Sequence, residues 1–308
     1  MIPYNNSYIL GLDLGYGNIK TSKTCFPTGI TAYDTEPVFK GRVLFHKGIY
    51  YKIGESSKPF IADKTTDKDF LILAYAGIAA ECLANNITEA SIILAAGIPT
   101  SMVKAQREDT RKYLLSDPDP EFDYNVRHFK IHLEKCLIFP QGYPALYDRN
   151  RELTSLNIIA DIGNGTMNMI YVSNKKVIED KCHTEKIGVG QFRIMAYNAM
   201  MDNFGKKIEP EIIENFICGR KTDISEKYID LLEQEAKKYC GQIFDTLYKY
   251  EYDPDFMKLY IVGGGGALLK RYGNYDPGRT FFIEDICASA KGFEQFALIK
   301  CRSESRVS

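Results

Sequence analysis

Apolar residues run almost without break through residues 8–14 and close on Asp13, the pattern of a buried strand. After Lys20 the chain turns polar. Arg42–Phe45 and Ile49–Ile53 then flank His46-Lys47-Gly48, which predicts a hairpin. Asp69–Ala84 has few breakers and is apolar almost all round, so it reads as a well-buried helix. Ser91–Ala96 is a second buried strand, closed by Gly97-Ile98-Pro99, and the charged stretch Ser101–Leu115 predicts an amphipathic surface helix. Val126–Leu133 and Lys135–Phe139 read as two strands that lead to Pro140-Gln141-Gly142.

A charged stretch, Tyr147–Glu152, separates the halves and is the expected first crossing between domains. The pattern then restarts with strand Leu156–Ala160, an Asp161 turn and return strand Met167–Val172. Gly188-Val189-Gly190 precedes an apolar helix over Phe192–Met201. Ser225–Tyr250 is a long amphipathic helix with Ile229, Leu232, Ala236, Tyr239, Ile243 and Leu247 on its apolar stripe. Strand Leu259–Val262 runs into Gly263, Gly264, Gly265 and Gly266 before another helix begins. Lys291-Gly292-Phe293 opens the last apolar helix, and Cys301–Ser308 reads as a frayed polar tail.

Two stretches are nearly the same: LGLDLGYGNIKT over residues 10–21 and IADIGNGTMNMI over residues 159–170. In each, an apolar run delivers an aspartate, Asp13 or Asp161, into a glycine-bearing hairpin. Such a turn lets backbone N–H groups of Gly15, Tyr16, Gly17 and Asn18, or of Gly163, Asn164, Gly165 and Thr166, close on phosphate oxygens. The carboxylate meanwhile reaches a metal. The duplication suggests two lobes of similar fold clamping one nucleotide. Taken singly, each turn is equally an ordinary β-turn, because Asp and Gly are turn formers.

Lys20 lies on the return strand, where alternation points it to the side of Asp13 and within reach of phosphate oxygens; otherwise it is a solvated surface lysine. Asn164, Thr166 and Asn168 add short polar groups to the second turn. Gln141 sits in a Pro-Gln-Gly turn and is either a polar turn residue or the group that orients an attacking water. Gly263–Gly266 follows a strand and precedes a helix, which brings bare backbone to a ligand. The run lacks GxGxxG spacing, so a dinucleotide fold is disfavoured.

Composition narrows the classes. At 308 residues two domains are expected. A formal charge of −1 argues against direct nucleic-acid binding over the whole surface. The longest uncharged apolar stretch, Phe70–Ala80, falls far short of the roughly 20 residues that span a bilayer. The start of the chain has no basic n-region. The eight cysteines contain no CxxC pair and read as free thiols, mostly small core residues of a cytoplasmic protein. His128 and His132 share a strand face roughly 13 Å apart, too far for one metal.

With these residues in order, the chain resembles the actin, heat-shock chaperone and sugar-kinase ATPase superfamily. Asp13–Lys20 matches its first phosphate hairpin, Pro140–Gly142 its connecting segment, Asp161–Thr166 its second hairpin and Ile261–Leu268 its adenosine motif. Ala290-Lys291-Gly292-Phe293 is similar to its second connecting helix. Within the superfamily, the Gly-Asn-Ile-Lys ending of the first hairpin and the compact insert resemble the bacterial plasmid-segregation actins of the ParM type.

The resemblance implies an α/β fold of the actin-like, ribonuclease H-like kind, with a nucleotide cleft between duplicated domains. Domain I would cover 1–150, with a small-subdomain insert over 26–70, and be joined by a C-terminal helix over 291–308. Domain II would cover 151–290, with its small subdomain over 203–240. Asp13 and Asp161 would hold Mg²⁺ largely through water, Lys20 and both hairpins the phosphates, and Gln141 the attacking water. Gly188 would border the ribose or base and Gly263–Gly266 the adenosine of ATP, or the guanosine of GTP. The implied function is a slow, filament-forming ATPase that segregates plasmid DNA through a DNA-binding adaptor protein. Its partners would be further copies of itself and that adaptor, with no direct nucleic-acid contact and no membrane. Two other classes stay open: a small-molecule kinase of the same superfold, for which no carboxylate base is identified, and a non-polymerising nucleotide sensor.

Overall fold

A computed structural model of the chain describes residues 1–38, 41–55 and 64–306. Part of the expected 26–70 insert and the last two residues of the expected 291–308 helix lie outside the described residues. The chain divides into two compact units, Met1–Asn150 with Asp285–Ser308, and Arg151–Glu284.

The first unit is built on strands β1 (Ile2–Tyr4), β2 (Ser7–Leu14), β3 (Asn18–Lys20), β4 (Cys25–Pro27), β5 (Ile30–Tyr33), β6 (Arg42–His46), β7 (Ile49–Ile53), β8 (Glu89–Ile98), β9 (Glu121–Tyr124) and β10 (Arg127–Pro140). They form one sheet in the order β4-β3-β2-β8-β10-β9-β6-β7-β5, with β1 paired to β2. The middle strands β2, β8 and β10 run parallel, whereas β2–β3 is an antiparallel hairpin. The expected β6–β7 hairpin is present. Helix α1 (Asp69–Leu83) packs on one face of the middle strands, and the charged helix α2 (Val103–Leu114) buries only Leu114.

Alternation splits β2 and β8 between two cores. Leu10, Leu12, Ile92 and Leu94 join the α1 side, while Ile9, Ile93 and Ala95 face Phe293 and Ala297 on the other. Burial on both faces is why these strands read as unbroken apolar runs.

β10 corrects the expectation of two strands over Val126–Leu133 and Lys135–Phe139. It is a single strand whose register against β8 slips between Leu133 and Lys135. Two polar residues in a row, Glu134 and Lys135, interrupt the apolar alternation, so Glu134 reads as a break. The irregularity absorbs it instead, and Ser7 Oγ donates to its carboxylate at 2.7 Å.

The second unit repeats the central motif with β11 (Leu156–Ile162), β12 (Met167–Ser173), β13 (Lys176–Val177) and β14 (His183–Glu185). After them come α3 (Val189–Phe204), α4 (Pro210–Ile217), α5 (Glu226–Lys249), β15 (Lys258–Val262), α6 (Gly266–Tyr272) and β16 (Thr280–Phe282). The sheet order is β13-β12-β11-β15-β16, with β14 also on β12. As in the first unit, an antiparallel hairpin, β11–β12, lies beside a parallel neighbour, β15. Leu232, Ala236, Tyr239, Ile243 and Leu247 of α5 are buried against this sheet's core, as their spacing requires.

The chain then returns to the first unit through α7 (Ala288–Glu304). The frayed tail expected from Cys301 onward is corrected here. The helix continues to Glu304, and Cys301 is 1% exposed among Ile9, Leu137 and Phe293. One buried position per turn is enough to hold a helix whose other faces are polar. All eight cysteines are free, and burial pushes the thiols of Cys82, Cys136 and Cys240 up to about 12, which leaves them unreactive. Among the described residues no helix is long and apolar enough to cross a membrane.

Candidate functional site

In the first unit, Asp13 is the penultimate residue of β2 and lies opposite Lys20 across the hairpin. Its carboxylate is buried, with Lys20 Nζ 3.8 Å from Oδ2. The turn is closed by Gly15 N–H donating to Asn18 O at 3.1 Å, and a Cβ on Gly15 would stand 2.6 Å from that same oxygen. Thr28 fixes the turn from behind. Its hydroxyl donates to Tyr16 O at 2.7 Å and its N–H to Gly17 O at 3.1 Å.

Gln141 leaves the end of β10 with its N–H on Ile98 O at 2.8 Å, and its side-chain Nε2 donates to Asp13 Oδ1 at 3.0 Å. Asp13, Lys20, Gln141 and the Gly15–Asn18 turn are therefore one cluster.

Sequence reasoning missed Lys64. It opens a short 3-10 turn before α1, its ammonium donates to Leu14 O, and it lies 4.2 Å from the centre of the Tyr16 ring. Burial pushes this ammonium down to about 8, against the opposing pull of the Asp13 carboxylate. No motif marks Lys64. The only signal was a lysine beside an apolar helix start.

The second unit repeats the geometry. Asp161 is again penultimate in its strand and faces Asn168 across the hairpin. Gly163 N–H donates to Thr166 O at 2.9 Å, the counterpart of the Gly15–Asn18 bond. Asn168 accepts from Thr184 Oγ at 2.9 Å.

The loop before α3 straps this turn down. Val189 N–H donates to Gly163 O at 2.9 Å and Gly190 N–H to Asn164 O at 2.8 Å. A Cβ on Gly188 would fall 2.3 Å from Asn164 O, so only glycine permits this approach. The Gly263–Gly266 run comes to the same place. Gly263 has φ +88 and its absent Cβ would sit 3.0 Å from Asp161 Oδ1, while Gly265 N–H donates to Ile162 O at 3.1 Å. Asp161, Asn164, Thr166, Gly188 and the glycine run thus form a second cluster, within the second unit.

The donor chemistry fits a hard cation that arrives with its own ligands. Each hairpin offers a single carboxylate, and among the described residues no three acidic, histidine or cysteine side chains gather to hold a metal. Mg²⁺ is typically bound by one or two carboxylates plus waters and substrate phosphates.

Residues 11–143 match the family model for the N-terminal domain of actin-like proteins. A search of curated proteins found no significant match. Among solved structures, the native crystal structure of Ta0583, an archaeal actin homologue, is 17% identical with a TM-score of 0.76, covering 94% of this chain and 99% of its own. The same protein has been solved in complex with ADP. Bacillus thuringiensis ParM with ATP is 13% identical at a TM-score of 0.66, covering 96% of this chain and 99% of its own. The Alp12 filament structure is 18% identical at a TM-score of 0.67, with 96% of this chain and 99% of that one covered. The α/β class and the actin-like fold expected from the sequence are borne out, as is the resemblance to proteins of the ParM type.

Proposed function

From the premise that residues 11–143 form an actin-like N-terminal domain in a chain of actin-like fold, we propose that the protein is a nucleotide-dependent, filament-forming ATPase of the cytoplasm. The observation that carries the reading is the repeated turn. An aspartate at the penultimate position of a strand enters a glycine hairpin closed by the same backbone bond in both units, beside a parallel neighbour strand. The ADP and ATP complexes and the filament among the structural relatives support nucleotide binding and self-association.

In this reading Asp13 and Asp161 meet the water shell of Mg²⁺, and Lys20 and the hairpin N–H groups take the phosphate oxygens of ATP or GTP. Bound Mg²⁺ would neutralise charge on the phosphates. Gln141 orients the water that attacks the terminal phosphate. With its Nε2 engaged by Asp13, its Oε1 is left as the acceptor for a water proton. Gly188 borders the ribose or base, and Gly263–Gly266 lies against the nucleoside. Self-association is head-to-tail, a heterologous contact that builds open helices rather than rings. The cargo is plasmid DNA reached through an adaptor, in keeping with a formal charge of −1.

Light scattering on addition of Mg–ATP, followed together with phosphate release, tests the proposal. A rise above a critical concentration that decays as phosphate appears is expected. A flat trace with nucleotide bound overturns the filament, and absence of nucleotide binding overturns the whole reading.

A further inference from the structure

Arg193 joins three elements of the second unit. It lies on α3, its Nη1 donates to Asn164 Oδ1 in the second hairpin, and its Nε donates to Glu214 on α4. The Asn164 backbone is already clamped by Gly188 and Gly190. Only its side-chain amide has a choice of orientation, and Arg193 makes that choice. A guanidinium has donors only, so it takes the amide oxygen. The amide NH₂ is thereby left as the donor for a ligand oxygen. Glu214 in turn holds the guanidinium from its other edge, a two-sided engagement that lysine, a point charge, cannot copy.

We propose that Arg193 is a positioning residue that presents the Asn164 amide to the nucleotide and couples occupancy of the second hairpin to α4. The inference rests on the nucleotide reading above. The stability at stake is small, because the Arg193 and Glu214 side chains are 31% and 43% exposed, and ion pairs so placed add little to folding. Loss of ligand affinity without loss of stability is therefore the signature of positioning. A structural role would lower both.

Coupling is defined by two sites and a shared arrangement between them. Hydrogen exchange with and without Mg–ATP, read on peptides covering residues 159–170 and 208–219, follows both ends, and a fluorescent ATP analogue gives the affinity. In the wild type, nucleotide should protect both peptides. Arg193→Met is expected to weaken binding about 10-fold with its melting temperature unchanged. At saturating nucleotide it should keep protection of 159–170 and lose that of 208–219. Arg193→Lys should behave like Arg193→Met, and Glu214→Gln should fall between these and the wild type. Combined with Asn164→Ala, the effect of Arg193→Met should be less than additive.

Wild-type affinity and unchanged 208–219 protection in Arg193→Met overturn the proposal while leaving nucleotide binding intact. Additive effects with Asn164→Ala overturn it as well. A wild type that binds no nucleotide removes the functional reading, and the inference falls with it.

Discussion

Gln141 Nε2 donates to Asp13 Oδ1 at 3.0 Å, joining the end of β10 to the end of β2, although 128 positions separate the two residues. The bond holds a glutamine at the one carboxylate of the first hairpin. Gln141 is half-buried, and its bond to the charged Asp13 contributes roughly 1–2 kcal/mol to folding. Gln141→Ala should lower the denaturation midpoint only slightly. Its steady-state phosphate release should fall about 100-fold while nucleotide affinity stays within a factor of about three, because the phosphate-binding groups remain. A hydrolysis rate equal to the wild type's would remove Gln141 from the chemistry.

The four glycines of the 263–266 run are not equivalent. Gly263 has φ +88 and no room for a Cβ beside Ile162 O at 2.5 Å, and a Cβ on Gly265 would meet Ile162 Cγ2 at 2.3 Å. A Cβ on Gly264 would meet nothing within 4 Å. Gly263→Ala and Gly265→Ala should each destabilise the protein by about 1–3 kcal/mol. Gly264→Ala should fold like the wild type yet bind nucleotide more weakly, since the space beside it is what the nucleoside would use. Thermal melts paired with nucleotide titration check this. Unchanged affinity in Gly264→Ala would move the nucleoside away from the run.

Helix α7 docks so closely that glycine is required on both sides of the contact. A Cβ on Gly97 of β8 would lie 2.1 Å from Phe293 Cζ, and one on Gly292 would lie 1.9 Å from Pro144 O. The Phe293 ring can tilt, but the Pro144 carbonyl is backbone and can move only with its chain. Gly292→Ala should therefore cost more than Gly97→Ala, with about 3 kcal/mol or more lost against about 1–2. Urea unfolding gives the ranking, and the reverse order would mean that the Pro144 segment yields more readily than the aromatic packing.

The strands that matter most were legible because they are buried on both faces. The β2 and β8 runs and the Asp13 and Asp161 turns follow from apolar continuity and glycine placement alone. β10 reads as two strands because Glu134 and Lys135 put two polar residues in a row and shift the phase of the alternation, and a bulge satisfied from a distant serine leaves no local sign. Lys64 and Arg193 were not legible for a related reason. Their roles depend on which carbonyl or amide the fold brings to them, and lysine and arginine at such positions usually belong to solvated faces. The Gln141 contact was half legible. Its turn was evident, but its partner is set by the parallel pairing of β10 with β8 and of β8 with β2.

Lys64 gives the clearest dependence on pH. Its ammonium is held at Leu14 O over the Tyr16 ring, and burial pushes it down from 10.5 to about 8. Below about pH 8 the lysine is charged in both the folded and unfolded states, and the folded state bears the whole cost of burying it. Between about pH 8 and 10.5 the unfolded chain binds more protons, so folding gains stability from this group as pH rises. The full span corresponds to about 3 kcal/mol. Lys64→Met removes the titration and fills the space with an apolar chain of similar length. The variant should equal or exceed the wild type in stability at pH 7. The wild type should then gain on it steadily between pH 8 and 10.5, in urea unfolding of both proteins at each pH. Taking the difference cancels every other group that titrates in that range. A difference that stays flat, or falls, would show that the ammonium is well solvated in the folded protein and that Leu14 O is not its fixed partner.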